Sequence, residues 1–189
     1  MRPGRFVAAT GGATAIEFAF CLPVLLVLLF GMIEVGQLMV VQHRSDNAAG
    51  TVGDVISRND KLTDSQETDV FAAASDILGS SVTGKPDLRV SQIGVNAAGI
   101  AHWDWSDRQG SWFTAYQHCA VLNPSDVRGL SLVALAPGAH LLVSEIHYTW
   151  SSPLDFVLQK PIDLGATILA SPRRGQVTRV TSPTPSACL

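Results

Sequence analysis

Charged residues are scarce. Asp, Glu, Lys and Arg make up 15% of the 189 residues, and the net charge is −3. The basic residues form no clustered face, which excludes a nucleic-acid footprint and with it a nucleic-acid partner. The chain has no phosphate-cradling glycine loop, no G-x-S-x-G elbow and no H-E-x-x-H helix. The usual signatures of nucleotide, serine-hydrolase and zinc-peptidase chemistry are therefore missing. No internal repeat is present. Cysteine occurs only three times, at Cys21, Cys119 and Cys188.

What the sequence has instead is one long apolar run, Gly11 to Val41, interrupted only by Glu17 and Glu34. Phe18 to Ile33 carries no charge. A hydrocarbon core about 30 Å thick needs roughly 20 helical residues. The charge-free part is slightly short of that, and Val35, Leu38, Met39, Val40 and Val41 extend it. A single membrane-spanning helix is expected; the competing readings are a buried core helix and a removed secretory signal. Against the signal stand the length of the run, Glu17 at its start, and VGQLMVVQHRSDNAAG after it in place of a close small-x-small site. Arg2 and Arg5 precede the run, whereas Arg44 is soon opposed by Asp46 and Asp54. Positive residues favour the cytoplasmic side, so the N-terminus is expected inside and the C-terminal part outside.

Glu17 is costly in a bilayer unless it has a partner. It follows Gly12 and Ala13 at the spacing of a type IV pilin-like cleavage site, with Gly before the scissile bond and Glu fifth after it. The stretch GATAIEFAFCLPVLLVLLFGMIEVG resembles the N-terminal region of TadE-like minor pseudopilins of the tight-adherence (Flp/type IV pilus) machinery. Gly12, Ala13, Glu17, Phe18, Ala19, Pro23, Gly31, Glu34 and Gly36 carry the resemblance in order. It implies cleavage between Gly12 and Ala13 by a membrane prepilin peptidase. It also implies assembly, through Glu17, with other pseudopilins and the inner-membrane platform of the pilus machinery. The implied protein is a non-enzymatic component without cofactor, in a bacterial inner membrane with its C-terminal domain in the periplasm. The expected organisation is a basic leader over 1–12, a membrane helix over 13–41 continuing to about 57, and a periplasmic domain over 58–189. Pro23 removes one backbone donor and frees the carbonyl of Ala19, so a helix kink is expected there.

Beyond the run, Val35, Leu38, Gln42, Ser45, Ala49, Val52 and Ile56 recur at helical spacing, which ends near Ser57. A second helix starts at Thr63 or Asp64, where Thr63 with Gln66 has capping-box spacing. It buries Val70, Phe71, Ala74, Ile77 and Leu78 and stops at Gly79. Strands are expected over 88–95, 99–106, 140–150 and 164–171, with 176–180 extended. In the first, Leu88 and Val90 fall out of phase with Ile93 and Val95, which calls for a bulge or strong twist. In the second, alternation puts Trp103 and Trp105 on one face and His102 and Asp104 on the other. Residues 107–138 read as loop with one short helix near Ser125, and the tail SPTPSACL as irregular. The fold class is α+β, pilin-like in plan: a long and a shorter helix on a mostly antiparallel sheet of about four strands.

Candidate chemistry is sparse. His102 with Asp104 gives two metal ligands without an evident third, and zinc needs three or four protein ligands; no metal site is assigned. Glu145, His147 and Thr149 share what reads as a solvated strand face. Trp103, Trp105, Tyr148 and Trp150 read as packing. His118 beside Cys119 resembles a thiol nucleophile only superficially. Cys21 lies in the span, which leaves Cys119 and Cys188 as an even pair in an oxidising compartment. A disulfide between them would stabilise by roughly 4 kcal/mol in the chain-entropy model; two unrelated thiols are the alternative. No catalytic residue is assigned. A structural assembly component is the first reading. A membrane-anchored periplasmic enzyme or binding protein of unknown substrate is the second.

Overall fold

The computed structural model describes residues 11–79, 84–130, 135–180 and Cys188, with side chains from Ala15 onward except that of Pro124. Most of the expected leader, and all of the tail but Cys188, lie outside the described residues.

A single helix, α1 (Gly11–Ser57), organises the molecule and contains Pro23 without interruption. At Gly11, the first described residue, the chain is already helical, two residues before the expected Ala13. In the first half of α1, Ile16, Phe18, Phe20, Val24 and Leu28 are all exposed. Its second half is the spine of a folded domain, with Val41, Ser45, Ala48, Ala49, Val52 and Ile56 buried. On the side facing the domain, burial begins at Glu34. The reason is that a distant loop, described below, folds back to that level of the helix.

A two-residue strand, β1 (Lys61–Leu62), leads into α2 (Asp64–Leu78). Thr63 caps α2: its hydroxyl accepts from the Gln66 N–H, and the Gln66 side chain accepts from the Thr63 N–H. This is the capping box expected from sequence. Phe71, Ala74 and Leu78 form the buried stripe. Gly79 closes the helix at φ +60°, a conformation that disfavours any residue with a Cβ.

The main sheet contains β2 (Asp87–Val95), β3 (Ala101–Gln109), β4 (His140–Trp150) and β5 (Ile162–Ala170) in the order β3-β2-β4-β5. All three pairings are antiparallel. A short sixth strand, β6 (Thr178–Arg179), pairs in parallel with β1. The molecule is thus α+β, with two helices and an antiparallel four-stranded sheet, as its sequence pattern indicates.

The sheet is buried on both faces. Leu88, Val90, Leu142, Ile146, Tyr148 and Trp150 face the helices. Ile93, Trp103, Leu141 and Val143 face the other way and pack under Leu122, Val127 and Leu130. The segment between β3 and β4 is therefore a third layer, which includes a 3-10 turn at Pro124–Asp126. Leu88 and Val90 are out of phase with Ile93 because each set belongs to a different core, not because β2 is bulged to unite them. The register shift does fall between Gln92 and Ile93, but the extra residue is Asp104 in β3. That bulge separates Trp103 from Trp105, which enter opposite cores. The shared Trp face expected from simple alternation does not exist.

Candidate functional site

The N-terminal part of α1 offers an apolar surface with one charge. Glu17 is exposed. The structure begins its helix before Ala13, so Ala13 and Glu17 lie about one turn apart, roughly 6 Å along the axis. Cys21 is an exposed thiol on the same surface.

Glu34 is the opposite case. It is fully buried, and its carboxylate accepts three backbone hydrogen bonds. The N–H of Phe156 reaches Oε1 at 2.8 Å, and those of Val157 and Leu158 reach Oε2 at 3.0 and 2.6 Å. Successive amides pointing at one carboxylate form an anion nest, here closed by the chain's own side chain. The two N–H groups just before them, at Leu154 and Asp155, are held by Ser152 Oγ at 3.3 Å. The β4–β5 loop is thus pinned to the helix where the domain begins. In the sequence Glu34 stands out as a second charge in the apolar run and as part of the TadE-like pattern, and neither reveals these partners. Its partners lie more than 120 residues away and are main-chain groups, so no side-chain pattern announces them.

At the far end of the sheet lies a cleft of about 270 Å³. Gly94 sits between His102 of β3 and His140 of β4 in register. It has no side chain, and a Cβ there would come within 2.6 Å of the Asp104 carboxylate. The bulge and this vacancy together bring Asp104 over β2. Its Oδ1 lies 3.1 Å from His102 Nε2, and its Oδ2 2.9 Å from His140 Nδ1 and 2.7 Å from Gln92 Nε2. His118 Nδ1 lies 2.6 Å from the Asp104 carbonyl oxygen. His102 is buried, so the expectation of a solvated face for this pair is corrected: His140, Gln92 and the segment at 176–179 enclose it.

Cys119 and Cys188 are joined by a disulfide beside this cleft. Among the described residues, each grouping of three metal-ligating side chains includes Cys188, as His118–Cys119–Cys188 or His102–Asp104–Cys188. The thiolate is the form that ligates metal. While the disulfide stands, the second grouping supplies one His and one Asp. The arrangement is a hydrogen-bonded His–Asp–His set, and among the described residues no free thiol lines the cleft.

The strand face carrying Glu145 and His147 is also not solvated. Arg89 Nε donates to Glu145 Oε2 at 2.6 Å, its Nη1 to the Thr114 carbonyl and its Nη2 to the Tyr116 hydroxyl. Trp112 stacks on His147 with centroids 3.6 Å apart, and the Arg89 guanidinium lies over Phe113 and Tyr116. Burial pushes the Tyr116 phenol up to about 12, with the Glu145 charge adding to it against Arg89. The hydroxyl therefore stays protonated and donates to the Asp126 carbonyl. This network fastens the third layer to the sheet, and the layer removes the face from water.

A charged knot holds β6. Arg179 donates from Nε to Asp107 at 2.5 Å and from Nη2 to Glu67, and it also pairs with Asp64 at 2.9 Å. Three acids surround one base. Burial first, then the charge of Asp107, raises the Glu67 carboxyl to about 7, while Arg179 opposes the shift. The folded state binds this proton more tightly than the unfolded chain, whose carboxyl titrates near 4.5. Stability from this group therefore rises as pH falls from about 7 towards 4.5 and is lost as pH climbs through 7. Thermal unfolding of the full chain in detergent at pH 5 and pH 8 checks this. Glu67→Gln should narrow the difference in melting temperature between the two pH values, and an unchanged difference would refute the assignment.

With this geometry in place, residues 12–53 match the family model described as TadE-like protein. The N-terminal segment is TadE-like. Neither a curated protein nor a solved structure matches the chain. The TadE-like match runs from the exposed apolar half of α1 into its buried half and includes Glu17 and Glu34. It is consistent with a component of the tight-adherence system, and TadE-like proteins are pilus-associated structural components. The candidate span, of mean hydropathy 2.5 and with none of its apolar window buried, fits a single-pass anchor. The sheet, the cleft and the third layer lie outside the TadE-like match.

Proposed function

We propose that the chain is a minor pseudopilin, a non-enzymatic, membrane-anchored component for assembly of the tight-adherence (Flp) pilus. The observation that carries this reading is the division of one TadE-like helix into two halves. The first is apolar, uncovered and marked by a single acid, Glu17. The second is the spine of an α+β domain. A surface of that kind suits lateral packing with other helices in a membrane. The reading includes removal of a basic leader after Gly12 by a prepilin peptidase, a cytoplasmic N-terminus, and a periplasmic C-terminal domain on a bacterial inner membrane. Partners would be other pseudopilins and the inner-membrane platform.

The cleft at His102, Asp104 and His140 favours the alternative, a membrane-anchored periplasmic binding protein or enzyme. Processing separates the two. Intact mass and N-terminal sequencing of the chain extracted from peptidase-competent cells should find Ala13 as the first residue. A chain that retains Met1, or one cut near Ala49 by a signal peptidase, would overturn the pseudopilin reading.

A further inference from the structure

The β4–β5 loop raises a question of level. It touches α1 at Phe30, whose ring centroid lies 4.8 Å from that of Phe156, and at Gly31, where a Cβ would lie 3.7 Å from Val157. Its amides end on Glu34. At 1.5 Å per residue, the helix from Ala13 to Met32 is about 30 Å long, the thickness of a hydrocarbon core. A bilayer reaching Val41 would submerge the loop, with Asp155 and Lys160, by about 15 Å. A bilayer ending near Met32 places the loop at its edge.

The loop has the composition and hydrogen bonding of a segment at that edge. Leu154, Phe156 and Val157 are 44, 46 and 43% exposed, although each is apolar. Their surface is continuous, through Phe30, with the bare half of the helix. Irregular backbone is expelled from lipid chiefly because its polar groups go unpaired. Here the five consecutive N–H groups from Leu154 to Leu158 are all satisfied, two by Ser152 and three by Glu34. Asp155 and Lys160 are exposed on the same loop, and a lysine can reach lipid phosphates.

We propose that this loop is a second, shallow membrane contact. Leu154, Phe156 and Val157 enter the interfacial zone of the leaflet on the domain's side, and Glu34 holds the loop in shape to do so. The partner is a phospholipid surface. The inference rests on the membrane-anchor reading above and adds that the domain is seated on the bilayer instead of standing clear of it.

Nitroxide labels test it, in the full chain with Cys21→Ala and the disulfide kept, reconstituted into phosphatidylethanolamine–phosphatidylglycerol vesicles. Labels go one at a time at Leu25 in the bare helix, Val157 in the loop and Thr51 on the exposed side of the domain's helix. Collision with oxygen reports lipid, and collision with a water-soluble nickel chelate reports water. The oxygen-to-nickel ratio at Val157 should exceed that at Thr51 several-fold and approach that at Leu25. A Val157 ratio equal to that of Thr51, with Leu25 still in lipid, overturns the loop contact and spares the anchor. Protection of Val157 from both reagents means that protein covers the loop, and it also overturns the proposal. A nickel-accessible Leu25 removes the anchor reading itself.

Discussion

Glu34→Ala should loosen the domain from its helix. Three backbone donors, at Phe156, Val157 and Leu158, lose their acceptor together. The alanine supplies no acceptor, and the site is closed to bulk water because Glu34 itself is fully buried. Unpaired buried donors carry their full desolvation penalty, which exceeds the net gain of an ordinary hydrogen bond. The melting temperature in detergent should fall on the order of 5 °C or more. The loop between Ser152 and Lys160 should become a site of limited proteolysis, since local opening precedes cleavage. Glu34→Gln keeps one oxygen but replaces the other with a donor that faces an N–H. It should sit between wild type and alanine. Unchanged melting and unchanged proteolysis in Glu34→Ala would show that the loop is held by its apolar contacts alone.

Glu17→Gln should leave insertion and folding intact and cost assembly. Cleavage after Gly12 would place a new ammonium at Ala13 about one turn from the Glu17 carboxylate. Helices offset along a filament axis could pair one subunit's amine with another's carboxylate. A carboxylate left unpaired in the bilayer costs roughly 2.5–3.5 kcal/mol. Removing the charge removes the reason for subunits to adopt one axial register. Recovery of partner pseudopilins in a membrane pull-down should fall on the order of ten-fold or more, and surface pili should fall with it. Normal values on both measures would reduce Glu17 to a boundary residue at the membrane surface. Glu17 and Glu34 thus separate by readout, the first in assembly and the second in stability.

How far each of these features could be read from the chain depended on the range of the interactions behind it. The apolar run, the Thr63–Gln66 capping box and the extent of β4 are set within a few residues, and each stands in the structure where its local pattern put it. The third layer was out of reach. Residues 110–130 have no period, and they cover the sheet through single contacts such as Trp103 stacked on Tyr116 and Trp112 stacked on His147. Without that layer, Glu145 and His147 look solvated. The cleft was hidden for a related reason. One extra residue, Asp104, breaks the alternation of β3, and the pattern gives no sign which strand of a pair holds the bulge. Even so, the mismatch between Val90 and Ile93 marked the place. In hindsight it recorded two cores, which any strand buried on both faces must show.

The unbroken helix also fixes an angle. Glu17 and Glu34 are 17 positions apart on one helix without an intervening loop. At 3.6 residues per turn, that separation leaves the two carboxylates about 100° apart around the axis. Under the proposed assembly the first would face a neighbouring subunit in the membrane, and the second points into the β4–β5 loop. The domain therefore has no free choice of azimuth. Whichever way Glu17 turns towards a neighbouring helix, the sheet and its cleft turn with it, so the contact made inside the membrane would select which face of the domain each neighbour meets outside.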